Sequence, residues 1–87
     1  MMLRYLARRA FLLAFVLVAL NGNHEREILE RLKAMKEVKR AFILFGEWDL
    51  LAEVELQNAE ALGAFVMDKI RSDNQVKLTS SLIVAGQ

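Results

Sequence analysis

The sequence contains no cysteine and no proline, and it has a single histidine in 87 residues. Without cysteine, neither disulfides nor thiolate metal sites can stabilise so short a chain. His24 has no second ligand at a suitable spacing, so it does not indicate a metal site. No nucleophile–base pair is apparent either. The sequence therefore predicts no catalytic centre, no metal and no cofactor.

An excess of charge of one sign is also lacking. The chain carries 12 basic and 11 acidic residues, a net charge of +1. Three of the basic residues, Arg4, Arg8 and Arg9, lie near the N-terminus, which leaves nine basic against eleven acidic residues from position 10 onward. Nucleic-acid binding needs a clustered cationic surface, so no direct contact with DNA is expected.

Hydrophobic residues, by contrast, make up 55% of the chain. A chain of this length forms one domain, and a small domain buries only about 60% of its unfolded surface. Part of the apolar surface must therefore remain outside the core of a single copy. This excess predicts an interface with a second copy.

The N-terminal segment allows two interpretations. Basic residues followed by the apolar run over 10–20 have the outline of a secretory signal. However, the run is too short for a transmembrane helix, no small-residue cleavage site follows it cleanly, and Phe15–Leu20 favours a strand. We therefore predict a leader or tail over residues 1–12, one domain over 13–87, no membrane association and a cytoplasmic location.

The apolar periodicity along the domain alternates between the strand and helix periods. The first helix is predicted from the stripe Ile28–Met35, with Asn23 as its N-cap, and the second helix is capped by Asn58. Strands are predicted over 13–20, 38–45, 50–56 and 76–84. The order βαββαβ indicates a ferredoxin-like α+β sandwich, in which two helices cover one face of an antiparallel four-stranded sheet.

The first strand is apolar on both of its faces, whereas a solvated sheet face would show polar alternation. In this fold the first strand is central, and only one sheet face is covered by helices. A second copy packing sheet against sheet would bury the other face. The predicted dimer interface contains Val16, Leu17 and Val18.

An ordered set of segments resembles the C-terminal effector domain of the Lrp/AsnC regulators, also called the RAM domain. The segments are Phe15-Val-Leu-Val, Glu25-Arg-Glu-Ile-Leu-Glu-Arg-Leu, Gly46-Glu-Trp-Asp49 and Val76-x-x-Thr-Ser-Ser-Leu-Ile-Val84. The resemblance covers about residues 14–85. It implies a dimeric α+β barrel, homodimers that assemble further into octamers, and an amino-acid effector between dimers. Family regulators carry an N-terminal helix-turn-helix, which residues 1–13 are too short to hold.

The resemblance also implies which residues contact the effector. Gly46 would let a ligand carboxylate approach the backbone, and Asp49 would accept its ammonium; alternatively, both residues serve only the turn. Thr79 and Ser81 share a strand face and would bind the same carboxylate, or they simply suit a surface strand. Trp48 would cover the ligand or a neighbouring subunit, or its own hairpin.

Three functions fit these observations. The first is a stand-alone amino-acid-sensing and oligomerisation module, which we favour. The second is a small dimeric α+β barrel enzyme of the monooxygenase or isomerase type, since this architecture also supports catalysis. The third is a module that co-assembles with full-length Lrp/AsnC regulators. Glu53 and Glu55, expected on the dimer side, would contact a basic ligand, pair with cations of a partner or remain solvated.

Overall fold

A computed structural model describes residues 11–86 of the chain and confirms the ferredoxin-like α+β fold. The strands pair antiparallel in the order β2-β3-β1-β4, so β1 is central. Almost all of the predicted leader or tail lies outside the described residues. The elements are β1 (Leu12–Leu20), α1 (Glu25–Lys33), β2 (Val38–Ile43), β3 (Leu50–Leu56), α2 (Ala59–Phe65) followed directly by a π-helical turn (Val66–Ile70), and β4 (Val76–Ile83).

The two faces of β1 have different surroundings. Ala14, Val16 and Val18 are completely buried and belong to the core beneath the helices. The alternate residues Phe15 and Leu17 point to the opposite side and are only half-buried. We call this uncovered side of the sheet the open face. By strand register it consists of Leu13, Phe15, Leu17 and Ala19 of β1, Arg40 and Phe42 of β2, Leu51, Glu53 and Glu55 of β3, and Leu78, Ser80 and Leu82 of β4.

The helix α1 packs one apolar stripe, Ile28, Leu29 and Leu32, against the sheet. Its N-cap is His24, whose side chain makes no capping bond. The prediction of Asn23 as the cap is therefore wrong by one position, because the backbone carbonyl of His24 already accepts the first helical bond, from Ile28 N–H at 3.0 Å.

The second helix starts where the sequence predicts. Asn58 Oδ1 accepts the Ala61 N–H at 2.8 Å, which satisfies one of the free donors of the first turn. The helix ends in a π-helical turn, in which Arg71 N–H donates to Val66 O at 2.7 Å. No helix within residues 11–86 combines the length and apolarity needed to cross a membrane.

An ion pair joins the π-helical turn to the loop between α1 and β2. Lys69 Nζ lies 3.2 Å from Glu37 Oε2, and the Glu37 side chain is 14% exposed. Partial burial alone would raise the pKa of the Glu37 carboxyl. The hydrogen bond from its own backbone N–H and the nearby Lys69 and Lys36 ammonium groups outweigh burial and hold that pKa below its usual value.

This ion pair should make stability depend on pH. A carboxyl with a lowered pKa stabilises the fold above its unfolded value of 4.5, and the contribution is lost as pH falls through the folded value. We expect Glu37→Gln to lower the unfolding free energy by up to about 1 kcal/mol at neutral pH and to converge with the wild type in acid. Urea unfolding across this pH range measures the difference, with the exposed Glu30→Gln as control. Parallel pH profiles for Glu37→Gln and the wild type would contradict the assignment.

Candidate functional site

The connection between β2 and β3 forms an exposed turn. β2 ends at Ile43, two residues earlier than predicted, and Leu44 N–H donates to Asp49 O at 2.8 Å to close the loop. Within it, Gly46 has φ +150°, a conformation that residues with a Cβ rarely adopt. Apart from Gly46 itself and its two flanking residues, no part of the described chain lies within 4 Å of the position that a Cβ would occupy there. The backbone at Gly46 is therefore open to approach from solvent.

Asp49 connects this turn to the central strand. Its Oδ2 accepts the Leu20 N–H at 2.7 Å, and its own N–H donates to Val18 O at 2.9 Å. Leu20 is the last residue of β1 and is only 7% exposed, so its N–H needs a protein acceptor. The Asp49 carboxylate accepts the hydrogen bond that a backbone carbonyl of the neighbouring strand would otherwise accept at the end of the sheet. Asp49 thus has a structural role, but its carboxylate bonds to the central strand rather than within its own turn as the alternative interpretation predicts. This role uses one of its two oxygens.

The predicted hydroxyl pair lies on β4, on the other side of β1. Thr79 is opposite Val18 and Ser81 is opposite Val16, so both point to the helix side of the sheet. Because Asp49 also bonds to Val18, Asp49 and Thr79 flank the same residue of β1, about 10 Å apart across two strand spacings. Ser81 lies a further ~7 Å along the strand. The structure therefore brings the turn and Thr79 to one end of the sheet, with Ser81 farther away.

The aromatic residues of the turn differ in exposure. Trp48 is half-buried, whereas the side chain of Phe45 is fully exposed, at 107%. The sequence interpretation placed Phe45 inside a strand and missed it as a candidate contact residue. The adjacent Gly46 is the signal that could have identified it, since a glycine with positive φ ends the strand before it.

The three predicted interface residues do not share one surface. Val16 and Val18 are 0% exposed within the single chain, beneath the helices, so they have no area left for a partner. Successive strand residues point to opposite faces, and of the three only Leu17 lies on the open face. Any interface on this side of the sheet involves Leu17 together with Phe15 and Leu51.

The acidic residues of β3 are paired within the chain. Glu53 Oε1 lies 2.7 Å from the guanidinium of Arg40, and Glu55 Oε1 lies 3.3 Å from Lys39 Nζ. These two contacts neutralise one corner of the open face. In the described part of the chain, this corner included, no three His, Asp or Glu side chains are grouped closely enough to hold a metal ion.

The family model of the Lrp/AsnC ligand binding domain matches residues 13–87. The chain belongs to this family. An uncharacterised helix-turn-helix-type transcriptional regulator of Pyrococcus horikoshii is 34% identical over 73 residues, which are 80% of this chain and 49% of that protein. The chain thus spans about half the length of the curated regulators it matches.

Two solved structures show how widely this Lrp/AsnC fold is shared. A hypothetical protein of Pyrococcus horikoshii is 37% identical, with a TM-score of 0.79 over 87% of this chain and 92% of that one. A transcriptional regulator of Neisseria meningitidis, solved as a complex with L-Met, is 28% identical, with a TM-score of 0.79 over 87% of this chain and 51% of that one. The Lrp/AsnC chain described here is therefore similar both to a short protein of comparable length and to part of a longer regulator.

The bond between Asp49 and Leu20 can be tested by stability alone. Asp49→Ala leaves a buried N–H without an acceptor, which should lower the unfolding free energy by about 1–3 kcal/mol. Asp49→Asn retains an acceptor oxygen at the same place and should cost less. Urea unfolding measures both values, and equal losses in the two variants would refute the role of the bond.

Proposed function

We propose that this Lrp/AsnC domain is an amino-acid-sensing and oligomerisation module that binds a free amino acid at the Gly46–Asp49 turn. The observation that carries the proposal is the combination of an open glycine backbone with an adjacent carboxylate that has one oxygen to spare. An amino acid presents an ammonium and a carboxylate side by side, and these two groups of the turn match that pair. The relative of Neisseria meningitidis, solved with L-Met, supports this ligand class.

Each ligand group has a proposed contact. The ligand ammonium donates to the second oxygen of Asp49, a charged bond of the stronger kind. The ligand carboxylate accepts from backbone N–H groups beside Gly46. Thr79 and Ser81 lie about 10 Å or more from Asp49 in the same chain, so we propose that their hydroxyls reach a ligand carboxylate from a neighbouring dimer. Phe45 and Trp48 supply apolar surface for the ligand side chain or for a neighbouring subunit. These contacts bind and orient the ligand. Thr79, the nearer hydroxyl, lies about 10 Å from Asp49 across β1, too far to form a nucleophile–base pair, so we propose no catalysis.

Self-association is proposed through the open face. Its centre is apolar, with Phe15, Leu17 and Leu51 on the two middle strands. Two such faces pack well as sheets about 10 Å apart. Arg40 and Lys39 already have carboxylate partners, so burying this corner introduces no unpaired charge. We propose a homodimer of this kind, with further assembly up to an octamer placing the ligand turns between dimers.

Co-assembly with longer relatives is the second candidate. The observation in its favour is the 34% identity to a longer regulator, in which the matching part makes up 49% of the chain, because similar open faces could then pair between different chains. In either case the module would act in the cytoplasm, through regulators rather than by contacting DNA itself. From position 10 onward, nine basic against eleven acidic residues leave no cationic excess for contact with phosphates.

Two substitutions of adjacent β1 residues test the open-face dimer. Leu17→Lys places a charge on the open face, so the protein should stay folded but fall to half its mass. Val16→Lys places an unpaired charge in the core and should abolish cooperative unfolding. Light scattering and circular dichroism at micromolar concentration measure mass and folding. An unchanged mass for Leu17→Lys would contradict the dimer.

The ligand site is tested in two steps. A ligand that binds the native state raises the melting temperature by mass action, so thermal melts against the twenty amino acids identify it. Calorimetry then compares the affinity of the wild type for that amino acid with the affinity of Asp49→Asn. This variant keeps an acceptor for the Leu20 N–H but loses the negative charge. A charged hydrogen bond contributes about 1.5–3 kcal/mol, so affinity should fall roughly ten- to hundredfold.

The matched control for the ligand test is Glu47→Gln. Glu47 is an exposed carboxylate two positions away in the same turn, so it tests whether any negative charge near the ligand would serve. The Glu47→Gln variant should bind the amino acid with the affinity of the wild type. Equal losses of affinity in the two variants would indicate that any negative charge near the ligand has the same effect. Unchanged affinity in Asp49→Asn would show that the ligand binds elsewhere.

A further inference from the structure

The edge strand β4 contains an irregularity at the end of the sheet where the candidate ligand turn lies. Its register with β1 shifts between Ala19 and Leu20, and the shift leaves Lys77 without a partner on β1. An extra residue of this kind forms a β-bulge, which often lies next to a functional site and redirects a side chain there. The extra residue here is a cation, beside the last residues of β1.

The ammonium group of Lys77 is accessible and has no carboxylate partner in the described chain. The residue is exposed, and it takes part in none of the ion pairs within residues 11–86, whereas Lys39, Arg40 and Lys69 each pair with a glutamate. Lysine is also depleted in strands, so strand formation does not require it at this position. Its charge is therefore available to a ligand.

Asp49 and Lys77 lie on opposite sides of the end of β1. Because β3 and β4 flank β1 in the sheet, Asp49 reaches Leu20 from one side and Lys77 lies on the other. Asp49 Oδ2 is 2.7 Å from Leu20 N, and one strand spacing of about 4.8 Å separates Leu20 from β4. The Asp49 carboxylate is therefore within roughly 8 Å of the β4 backbone at Lys77. The flexible stem of lysine spans much of that distance, so a small molecule can contact both charges at once.

The order of groups across this end of the sheet determines which part of a ligand meets Lys77. The strand order β2-β3-β1-β4 places Gly46, in the turn between β2 and β3, on one side of Asp49 and Lys77 on the other. In the proposed site the ligand ammonium bonds to Asp49, and the α-carboxylate bonds to the backbone beside Gly46. The remaining substituent of the α-carbon, the side chain, is then directed toward β1 and Lys77.

We propose that Lys77 binds a carboxylate on the side chain of the ligand, so that the domain is selective for an acidic amino acid, aspartate or glutamate. This inference rests on the proposed amino-acid site and adds the class of ligand to it. The bond between the lysine ammonium and a carboxylate is of the stronger, charged kind. Trp48, half-buried and next to Asp49 in the chain, supplies apolar surface for the methylene groups of the ligand.

Calorimetry with pairs of amino acids of nearly equal shape tests the selectivity. L-Glutamate and L-glutamine differ only at the end of the side chain, where one has a carboxylate and the other an amide, and L-aspartate and L-asparagine form a second pair. The wild type should bind the acidic member of at least one pair roughly ten- to hundredfold more tightly than the neutral member, which is the effect of one charged hydrogen bond.

Three variants assign the preference to Lys77. Lys77→Gln removes the charge at an exposed position, so the protein should stay folded and bind the acidic and the neutral member about equally. Lys77→Arg retains a cation and should keep the preference. Lys33→Gln is the matched control, because it removes another exposed lysine without an ion pair in the described chain, at the other end of α1. Its preference should remain that of the wild type, and circular dichroism checks the folding of each variant.

The possible outcomes separate this inference from the proposed site. If the wild type binds no amino acid, both are overturned. If it binds glutamine, asparagine or methionine at least as tightly as the acidic amino acids, the selectivity is overturned and the ligand site stands. A charged residue on an edge strand can also serve only to block pairing with another strand. An acidic preference that persists in Lys77→Gln would leave Lys77 with that role and overturn its contact with the ligand.

Discussion

The structure depends on the burial of β1, a strand that is apolar on both faces and lies in the middle of the sheet. Its helix-side residues Ala14, Val16 and Val18 belong to the core of the single chain and have no exposed area. Its other side, with Leu17, is only half-buried. Within residues 11–86, no second layer covers that side. The proposed packing of open faces would therefore complete the burial of a strand that folding of the single chain buries on one side only.

The same strand also connects the core to the candidate ligand site. The last N–H of β1, at Leu20, bonds to a side-chain oxygen of the turn rather than to a carbonyl. Asp49 therefore contributes to the fold whether or not a ligand is bound. The observed bond to Leu20 and the proposed contact with a ligand ammonium both require an acceptor oxygen at this position. Stability and affinity have to be measured separately to distinguish them.

The order of elements, the central position of β1 and the Asn58 cap could all be predicted from the sequence, because each depends on a local pattern or on a topology rule. The predicted interface treated Val16, Leu17 and Val18 as one continuous run. Because successive strand residues point to opposite faces of the sheet, Leu17 lies on a different face from Val16 and Val18. The apolar residues around Phe65 have the spacing of an ordinary α-helix, so the sequence periodicity does not reveal the π-helical turn that follows. The pairing of Glu53 with Arg40 depends on strand register, which a single strand pattern does not determine.

The ion pairs at the corner of the open face have a consequence for the kinetics of encounter. Lys39 and Arg40 are neutralised by carboxylates of the same chain, so the corner presents little net field to an approaching copy. Association without electrostatic steering proceeds at about 10⁵–10⁶ M⁻¹s⁻¹ and changes little with ionic strength. The rate at which the proposed dimer forms would then follow the concentration of the chain rather than the ionic strength of the solution.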